Sequence, residues 1–394
     1  MTRCLAGLAA TALLAAASGF AQPPGPAPYR RAGGQPLEFR GPGRDEPAPD
    51  VAEVVLGWFG PADPDHPDFG EFWRGALLAL EAENAAGGYR GAPFRLVSAW
   101  SESPWQAGIG RLTRLVYETG AWGVIGGVDG ATTHLAEQVA LKARFPLLSP
   151  GSTDPTANCG HVPWLFTALP PDDRHAPVLV ERLRREVGSG ELAVAVAVDH
   201  DSHATLVALR REMELLRLTP QALLEFDPGE ANLGPLAARL VEARPAAILV
   251  VAPARPAAAL VNELRRRGFG GALLGGATLA RNAFVRAAGP AAEGVLAPLL
   301  HEASPAWDAL AGAYEARWRG VPDDAAAQAY DAVRLLASAV RAGGLNRARI
   351  ASALRALQPW SGAAGAVSWD ALGRNRRPVG LARWSGGRLV AVEG

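Results

Sequence analysis

Short apolar runs alternate with amphipathic stretches from residue 52 onward, and the alternation forms two series. The first series contains AEVVLGWF, PFRLVSAW, WGVIGG and FPLLS, and the second contains LAVAVAVD, QALLEFD, AAILVVAP and GALLGG. Helix-length segments separate the runs, for example FGEFWRGALLALEAENAAGG, whose apolar positions recur at helical spacing until a glycine pair. Such strands are typical of parallel sheets covered on both faces. The sequence therefore predicts an α/β protein with two similar doubly wound lobes.

The first residues of the chain have the features of a cleaved secretory signal. Arg3 precedes an apolar run of about a dozen residues, and small residues precede Gln22. The run is shorter than the roughly 20 apolar residues that a membrane-spanning helix needs. We therefore expect residues 1–21 to be removed after Ala21. The mature protein would then be periplasmic or secreted, with no segment that spans the membrane.

Residues 22–50 are rich in proline, glycine and charged residues and show no apolar period. This composition is typical of a disordered leader, and we assign it no chemistry.

The composition of the chain excludes several classes of function. Its 394 residues are 49% hydrophobic, which is enough for a sizeable core and suggests two domains. The 39 basic residues balance the 39 acidic ones, so no overall field recruits nucleic acid. Cys159 is the only cysteine after Cys4, which excludes an intrachain disulfide once the signal is removed. We expect a monomer.

Polar residues follow several of the predicted strands, where ligands of doubly wound sheets bind. The segments are GWFGP after the first strand, GGVDGATT after the third, SPGSTD after the fourth and DHDSH in the second lobe. Glycines and hydroxyl residues at helix starts can hold a carboxylate through backbone N–H groups. The alternative is that Thr132, Ser152 and Thr153 only cap helices. Trp58 is the tryptophan that we expect in the cleft, whereas Trp73 and Trp100 fit core packing.

Three kinds of chemistry find little support in the sequence. A phosphate-binding Gly-Lys-Ser/Thr loop is excluded because Lys142 is the only lysine, and no Gly-x-Ser-x-Gly follows a predicted strand. DHDSH offers metal-ligating side chains, but a metal site needs three or four converging ligands. His66 could supply a further ligand from the other lobe. We expect no metal, no cofactor and no catalysis.

Several segments together resemble a known family. They are EAENAAGGYRGAPFRLV at 81–97, WGVIGGVDGATTHLAEQVALKARFPLLSPGSTDP, the helix AAAQAYDAVRLLASAVRAGG and the closing strands GAVSWDALGRNRRPVGLARWSGG. Their order is similar to that of the type I periplasmic binding proteins, in the leucine/isoleucine/valine-binding branch. The resemblance covers roughly residues 52–392.

The resemblance implies two lobes that are joined by three crossovers and close over a ligand. By position, the crossovers fall near Leu169, Leu300 and Val367. The N-terminal lobe would then comprise residues 51–168 and 301–366, and the C-terminal lobe residues 169–300 and 367–394.

The resemblance also implies where a ligand carboxylate would bind. In relatives that bind amino acids, a serine, a backbone N–H and a threonine hold it. These positions correspond here to Gly130, Gly151 and Thr153, so the serine hydroxyl is missing. The histidine His203 takes the place of an aromatic ligand contact in the second lobe.

The residues that would bind the ammonium group of a ligand resemble those of the family less closely. The acidic residue of the relatives corresponds to Ala277, and a buried ammonium group without a carboxylate is severely penalised. We therefore expect no tight binding of leucine, isoleucine or valine. Asp129, Asp199 or Asp201 could supply the acid instead. Two further expected ligand contacts are Arg255, which would favour an acidic ligand, and Thr278.

The function that the resemblance implies is capture of a small polar, carboxylated, amino-acid-like molecule for an ABC importer, whose permease and ATPase would be the partners. A receptor domain that reports its ligand to a signalling protein is the alternative within the same fold. An enzyme or a metal-binding protein is the third possibility.

Overall fold

The structure, a computed structural model, describes residues 29–30 and 37–392. The expected signal sequence lies outside these residues, as does most of the segment between it and residue 36. Within the described part of the chain, no helix is both long enough and apolar enough to cross a membrane.

The strands and helices alternate as the sequence predicts over most of the chain. The strands are β1 (Tyr29–Arg30), β2 (Glu38–Phe39), β3 (Val54–Phe59), β4 (Phe94–Ser98), β5 (Val124–Gly126), β6 (Leu147–Ser149), β7 (Leu165–Thr167), β8 (Leu192–Ala197), β9 (Ala222–Phe226), β10 (Ala247–Val251), β11 (Ala272–Gly275), β12 (Leu296–Leu299), β13 (Trp360–Ser361), β14 (Ala366–Val367), β15 (Gly380–Ser385) and β16 (Arg388–Val392). The helices are α1 (Gly70–Ala85), α2 (Ile109–Tyr117), α3 (Gly130–Ala143), α4 (Asp172–Val187), α5 (His200–Leu215), α6 (Gly234–Glu242), α7 (Ala254–Arg266), α8 (Asn282–Ala288), α9 (Pro305–Trp318), α10 (Asp324–Gly343) and α11 (Arg347–Ala356).

Each lobe is built on its own sheet. In the first lobe the strand order is β4-β3-β5-β6-β7, and every neighbouring pair is parallel. In the second lobe the order is β16-β15-β12-β11-β10-β8-β9, and the strands from β12 to β9 are parallel. The prediction of an α/β protein with two parallel-sheet lobes is therefore confirmed.

The closing strands of the second lobe are antiparallel rather than parallel. β15 pairs antiparallel with β12 and with β16. Gly386 and Gly387, with φ of 56° and 76°, form the two-residue turn between β15 and β16. A tight hairpin turn of this kind needs positive φ at both central positions, which glycine adopts without strain.

The first strand of the second lobe, β8, shows why its sequence is continuously apolar. Leu192, Val194 and Val196 of β8 pack in one cluster with α4 and α5. The alternate residues Ala193, Ala195 and Ala197 pack in a second cluster with α6, α7 and α8. Because helices cover both faces of the sheet, neither set of side chains reaches solvent.

The connections between the lobes meet at a small buried cluster. Leu169, Leu300 and Ala277 form it, with Val379 packed against them. Asn375 Nδ2 donates to Ala168 O at 2.6 Å across the connections. The buried guanidinium group of Arg377 donates to the carbonyl groups of Leu300 and Ala364.

The third connection lies later in the chain than Val367. Val367 and Trp369 belong to the buried core of the first lobe, and the Trp369 ring packs on Phe166 with centroids 4.9 Å apart. The chain therefore leaves this lobe after Trp369. The boundary moves because a large aromatic side chain is buried two residues beyond the predicted crossing.

Residues 37–50 are not a disordered leader. Phe39 is 4% exposed, and its ring lies 5.3 Å from that of Trp164 in the first lobe. Asn346 Nδ2 donates to the carbonyl groups of Gly43 at 2.7 Å and Arg44 at 3.1 Å. The prediction from composition is wrong for this part because one buried aromatic ring and one amide anchor the segment, and neither produces an apolar period.

We expect Asn346→Ala to release residues 37–50 and to weaken α11, because Asn346 Oδ1 also caps this helix through Arg349 N at 3.1 Å. Loss of a helix cap costs about 0.5–2 kcal/mol. Asn346→Asp is the matched variant, because it keeps the capping oxygen and loses only the amide donor. Trypsin should cleave both variants faster than the wild type after Arg40 or Arg44. Equal cleavage rates in all three proteins would contradict the anchoring role.

Candidate functional site

A cavity of about 740 Å³ lies between the lobes at the carboxyl ends of the parallel strands. Asp68, Phe69, Asp129, Ala131, Gly151 and Thr153 line it from the first lobe. The second lobe contributes residues after β8, β9, β10 and β11, among them Asp199, Glu230, Arg255 and Thr278. This is the edge at which a doubly wound sheet binds its ligands.

Two aspartates that cap helices face the cavity from opposite lobes. Asp129 precedes α3 and accepts hydrogen bonds from Thr132 N at 2.7 Å and Thr132 Oγ1 at 2.5 Å. Asp199 precedes α5 and accepts from Ser202 N at 3.0 Å and Ser202 Oγ at 2.7 Å. Both carboxylates also line the cavity. A carboxylate has further lone pairs, so each can still accept from a ligand.

A third aspartate joins the lobes. Asp201 of the second lobe accepts hydrogen bonds from Gly130 N at 2.5 Å and Ala131 N at 3.2 Å, at the N-terminus of α3. Burial and the nearby Asp129 carboxylate raise the pKa of Asp201 above its usual value, and the two N–H donors act in the opposite direction. The backbone donor of Gly130, predicted to hold a ligand carboxylate, is therefore taken by the protein's own side chain.

The contact with Asp201 explains why position 130 is glycine and not the serine of the relatives. A Cβ atom there would lie 2.6 Å from Asp201 Oδ1 and 2.9 Å from Asp154 Cβ. Both distances are shorter than a van der Waals contact, so a serine would push Asp201 away from α3.

Two of the three residues predicted in the loop after β6 line the cavity. Gly151 and Thr153 line the cavity, and Thr153 O accepts from Asp172 N at 2.7 Å. Ser152 is 1% exposed and lies outside the lining, and its Oγ accepts from Asp154 N at 3.3 Å. Thr132 is also buried, and its hydroxyl group bonds the capping Asp129. Thr132 and Ser152 therefore make local hydrogen bonds that hold the loops, and neither lines the cavity.

The structure places two of the predicted ligand contacts outside the cavity lining. Trp58 is fully buried, packs against the tilted ring of Trp73 with centroids 5.3 Å apart and donates to Pro61 O at 3.1 Å. His203 is exposed and outside the cavity lining. His203 lies on a different face of α5 from Ser202 and Thr205, which line the cavity. His200 lines the cavity instead.

The second lobe also contributes cations. Arg255 lines the cavity and lies 3.8 Å from Asp68 Oδ2 of the first lobe. Thr278 lines it too, with its hydroxyl group donating to Ala252 O at 2.7 Å. Arg281 also lines the cavity, although its sequence context did not predict this, and it lies over the Phe72 ring at 5.2 Å from the centroid. Burial lowers the pKa of Arg281, and the carboxylates of Asp323 and Asp129 oppose this.

Beside the cavity, two histidines meet one buried carboxylate. Asp154 Oδ2 accepts from His134 Nε2 at 3.0 Å and from His200 Nε2 at 2.7 Å. Hydrogen bonds to Asp154 and Glu137 raise the pKa of His134 to about 10. Burial raises the pKa of Asp154, but its hydrogen bonds to His134, Thr156 and His200 outweigh burial and place it below its usual value.

Two parallel-sheet lobes with crossing connections and a polar cavity between their carboxyl edges define a two-lobed binding protein. A family model described as "Periplasmic binding protein" matches residues 56–388. The chain belongs to this family.

Individual relatives agree with the family match. An "Amino acid binding protein" of Pseudomonas aeruginosa is 27% identical over 55% of this chain and 59% of its own length. A "Leucine-, isoleucine-, valine-, threonine-, and alanine-binding protein" of the same species is 22% identical over 78% of this chain and 83% of its own. The resemblance to the leucine/isoleucine/valine-binding branch is therefore confirmed.

A solved structure shows the same fold. The branched-chain amino acid transporter substrate-binding protein of Streptococcus pneumoniae, in complex with isoleucine, superposes with a TM-score of 0.79. It is 22% identical, and the match covers 87% of this chain and all of that one.

We expect Asp201→Asn to favour the open arrangement of the lobes, because Gly130 N and Ala131 N donate to different oxygens of Asp201 and the amide replaces one of these oxygens with an NH2 donor. Hydrogen bonds to a charged group contribute about 1.5–3 kcal/mol each. Small-angle scattering of the ligand-free protein should show a larger radius of gyration for the variant. Asp308→Asn, the same change at an exposed position of α9, should leave it unchanged. An unaltered radius for Asp201→Asn would contradict a role for this contact in closing the lobes.

Proposed function

We propose that this protein captures a small amino-acid-like molecule, with an amine and a carboxylate, and delivers it to an ABC importer. The observation that carries the proposal is the cavity between the lobes, with acidic side chains from both lobes and the Gly151–Thr153 loop on its wall.

The acidic side chains favour a ligand with a cationic amine. Five carboxylic acids line the cavity, namely Asp68, Asp129, Asp199, Asp201 and Glu230. The arginines on its wall are Arg255 and Arg281. An ammonium group between Asp129 and Asp199 would offset the cost of burying these carboxylates. Acids at this site also supply what Ala277 lacks, so leucine, isoleucine and valine are no longer excluded as ligands.

The carboxylate of the ligand would bind at the other predicted loop. Asp201 already holds the N–H groups at the start of α3. Gly151 and Thr153 line the cavity close by, and a hydroxyl group can donate to a carboxylate. Arg281 adds positive charge from the second lobe. Together these groups would orient a zwitterion across the cleft.

Transport rather than catalysis is the output that the relatives favour. Their printed names describe binding proteins, and that of the Streptococcus pneumoniae structure describes a transporter substrate-binding protein. The expected signal sequence would place the protein in the periplasm. An importer permease and its ATPase would be the partners, with closure of the lobes as the message to the permease.

The test is a thermal-shift screen of the mature protein with amino acids, amines, amides, ureas and short carboxylates. Each hit is compared with its N-acetyl derivative and its amide, which remove the charge of one group at a time. The proposal expects both changes to weaken binding. Retained affinity of the N-acetyl derivative would contradict the amine site, and failure of every amino acid in the screen would contradict the ligand class.

Thr153→Ala should weaken binding of the identified ligand by about 1–3 kcal/mol, because a charged group loses a hydrogen-bond partner. Calorimetry measures the change. His203→Ala serves as the control, because His203 is exposed and outside the cavity lining. Unchanged affinity in Thr153→Ala would remove this residue from the site.

A further inference from the structure

We propose that His134, Asp154 and His200 form a binding site for a divalent transition metal ion of the zinc class, and that this site joins the two lobes. His134 belongs to α3, and Asp154 lies in the loop after β6 of the same lobe. His200 is the first residue of α5 in the other lobe. The site goes beyond the capture of an organic ligand.

The positions of the ligand atoms fit a metal ion. One nitrogen from each histidine and one oxygen of Asp154 lie within 4.8 Å of one another. Zinc bonds to histidine nitrogen and carboxylate oxygen are about 2.0–2.2 Å, so neighbouring ligands of a tetrahedral ion are about 3.3 Å apart. The distances from Asp154 Oδ2, 3.0 Å to His134 Nε2 and 2.7 Å to His200 Nε2, would need to widen by about 0.3 Å and about 0.6 Å to reach this separation.

Neighbouring groups hold two of the three ligands in a suitable state. Glu137 Oε2 lies 3.5 Å from His134 Nδ1, which favours a proton on that nitrogen, so a metal ion would bind at Nε2 and displace the proton that Nε2 donates to Asp154. Thr156 donates to the other oxygen of Asp154 through its N and Oγ1, both at 2.7 Å. Asp154 Oδ2 is thereby directed at the histidines. Such outer contacts commonly support metal ligands.

The environment leaves room for a fourth ligand. The Asp154 side chain is fully buried, whereas 48% of the His200 side chain is exposed and this residue lines the cavity. Three protein ligands with an open position are typical of zinc sites that bind water or an oxygen of another molecule. The open position here would face the cavity.

The site resolves the ambiguity of the DHDSH segment. Taken alone, the segment lacks converging ligands, and for this reason the sequence predicts no metal. The structure supplies the partners from GGVDGATTH and SPGSTD, which end at the same edge of the cleft. His200 then belongs to the cluster, whereas His203 does not.

The experiment uses mature protein stripped with a chelator and free of added organic ligand. Zinc is titrated by calorimetry at neutral pH, and cobalt is titrated while its visible absorption is recorded. We expect one ion per chain, an increase in melting temperature on binding and a cobalt spectrum of a four-coordinate site with nitrogen and oxygen ligands. His200→Ala and His134→Gln should each lower the affinity at least about tenfold.

His203→Ala is the matched control, because it removes a histidine three residues away on the same helix. It should bind zinc like the wild type. The melting temperatures of the metal-free variants establish that each is folded, and His200→Ala changes a side chain that is half exposed. Absence of saturable binding overturns the proposal, as does binding that survives both ligand substitutions. Loss of binding in His203→Ala would overturn this choice of ligands.

Discussion

The backbone N–H groups at the N-terminus of α3 are the constraint on which the cleft depends. Parallel strands direct the following helices so that their first turns face the cleft, and these turns have unsatisfied donors. Asp129 satisfies one donor from within the first lobe, and Asp201 satisfies two from the second. Glycine at position 130 follows from the closeness of the second carboxylate. The cleft is therefore held together by a side chain in a place where an anion would otherwise bind.

The same contact concentrates negative charge between the lobes. Asp129, Asp199 and Asp201 lie at facing helix starts, and burial makes their ionised forms costly unless cations or N–H donors are near. Arg286 of the second lobe pairs with the buried Glu71 of the first at 2.6 Å, and Asn282 N donates to Asp323 at 2.8 Å. Interlobe contacts thus consist largely of carboxylates of one lobe facing donors of the other. Both proposals, an amine ligand and a metal ion, add positive charge to this interface.

The sequence predicts the elements of the fold because apolar periodicity reports burial directly. β8 is apolar at every position since helices cover both of its faces. The segment around Phe39 was missed because a single anchoring ring leaves no period, and the late third crossing was missed because it depends on where Trp369 packs.

The candidate site was predicted to the level of its loops but not of its side chains. Asp129, Gly151, Thr153, Asp199, Arg255 and Thr278 line the cavity. Trp58 and His203 do not, because strand orientation and the first turn of α5 decide which side chains face the cleft. The role of Asp201 and the meeting of His134 with His200 depend on how one lobe is placed against the other, which local patterns do not encode.

The hydrogen bonds between the connecting segments have a consequence for how the lobes can move. Arg377 donates to the carbonyl groups of Leu300 and Ala364, and Asn375 donates to that of Ala168, so hydrogen bonds link the connecting segments to one another. If the lobes rotate about these connections as rigid bodies, a small rotation near Leu300 becomes a large displacement at the far rims of the lobes, because displacement grows with distance from the rotation axis.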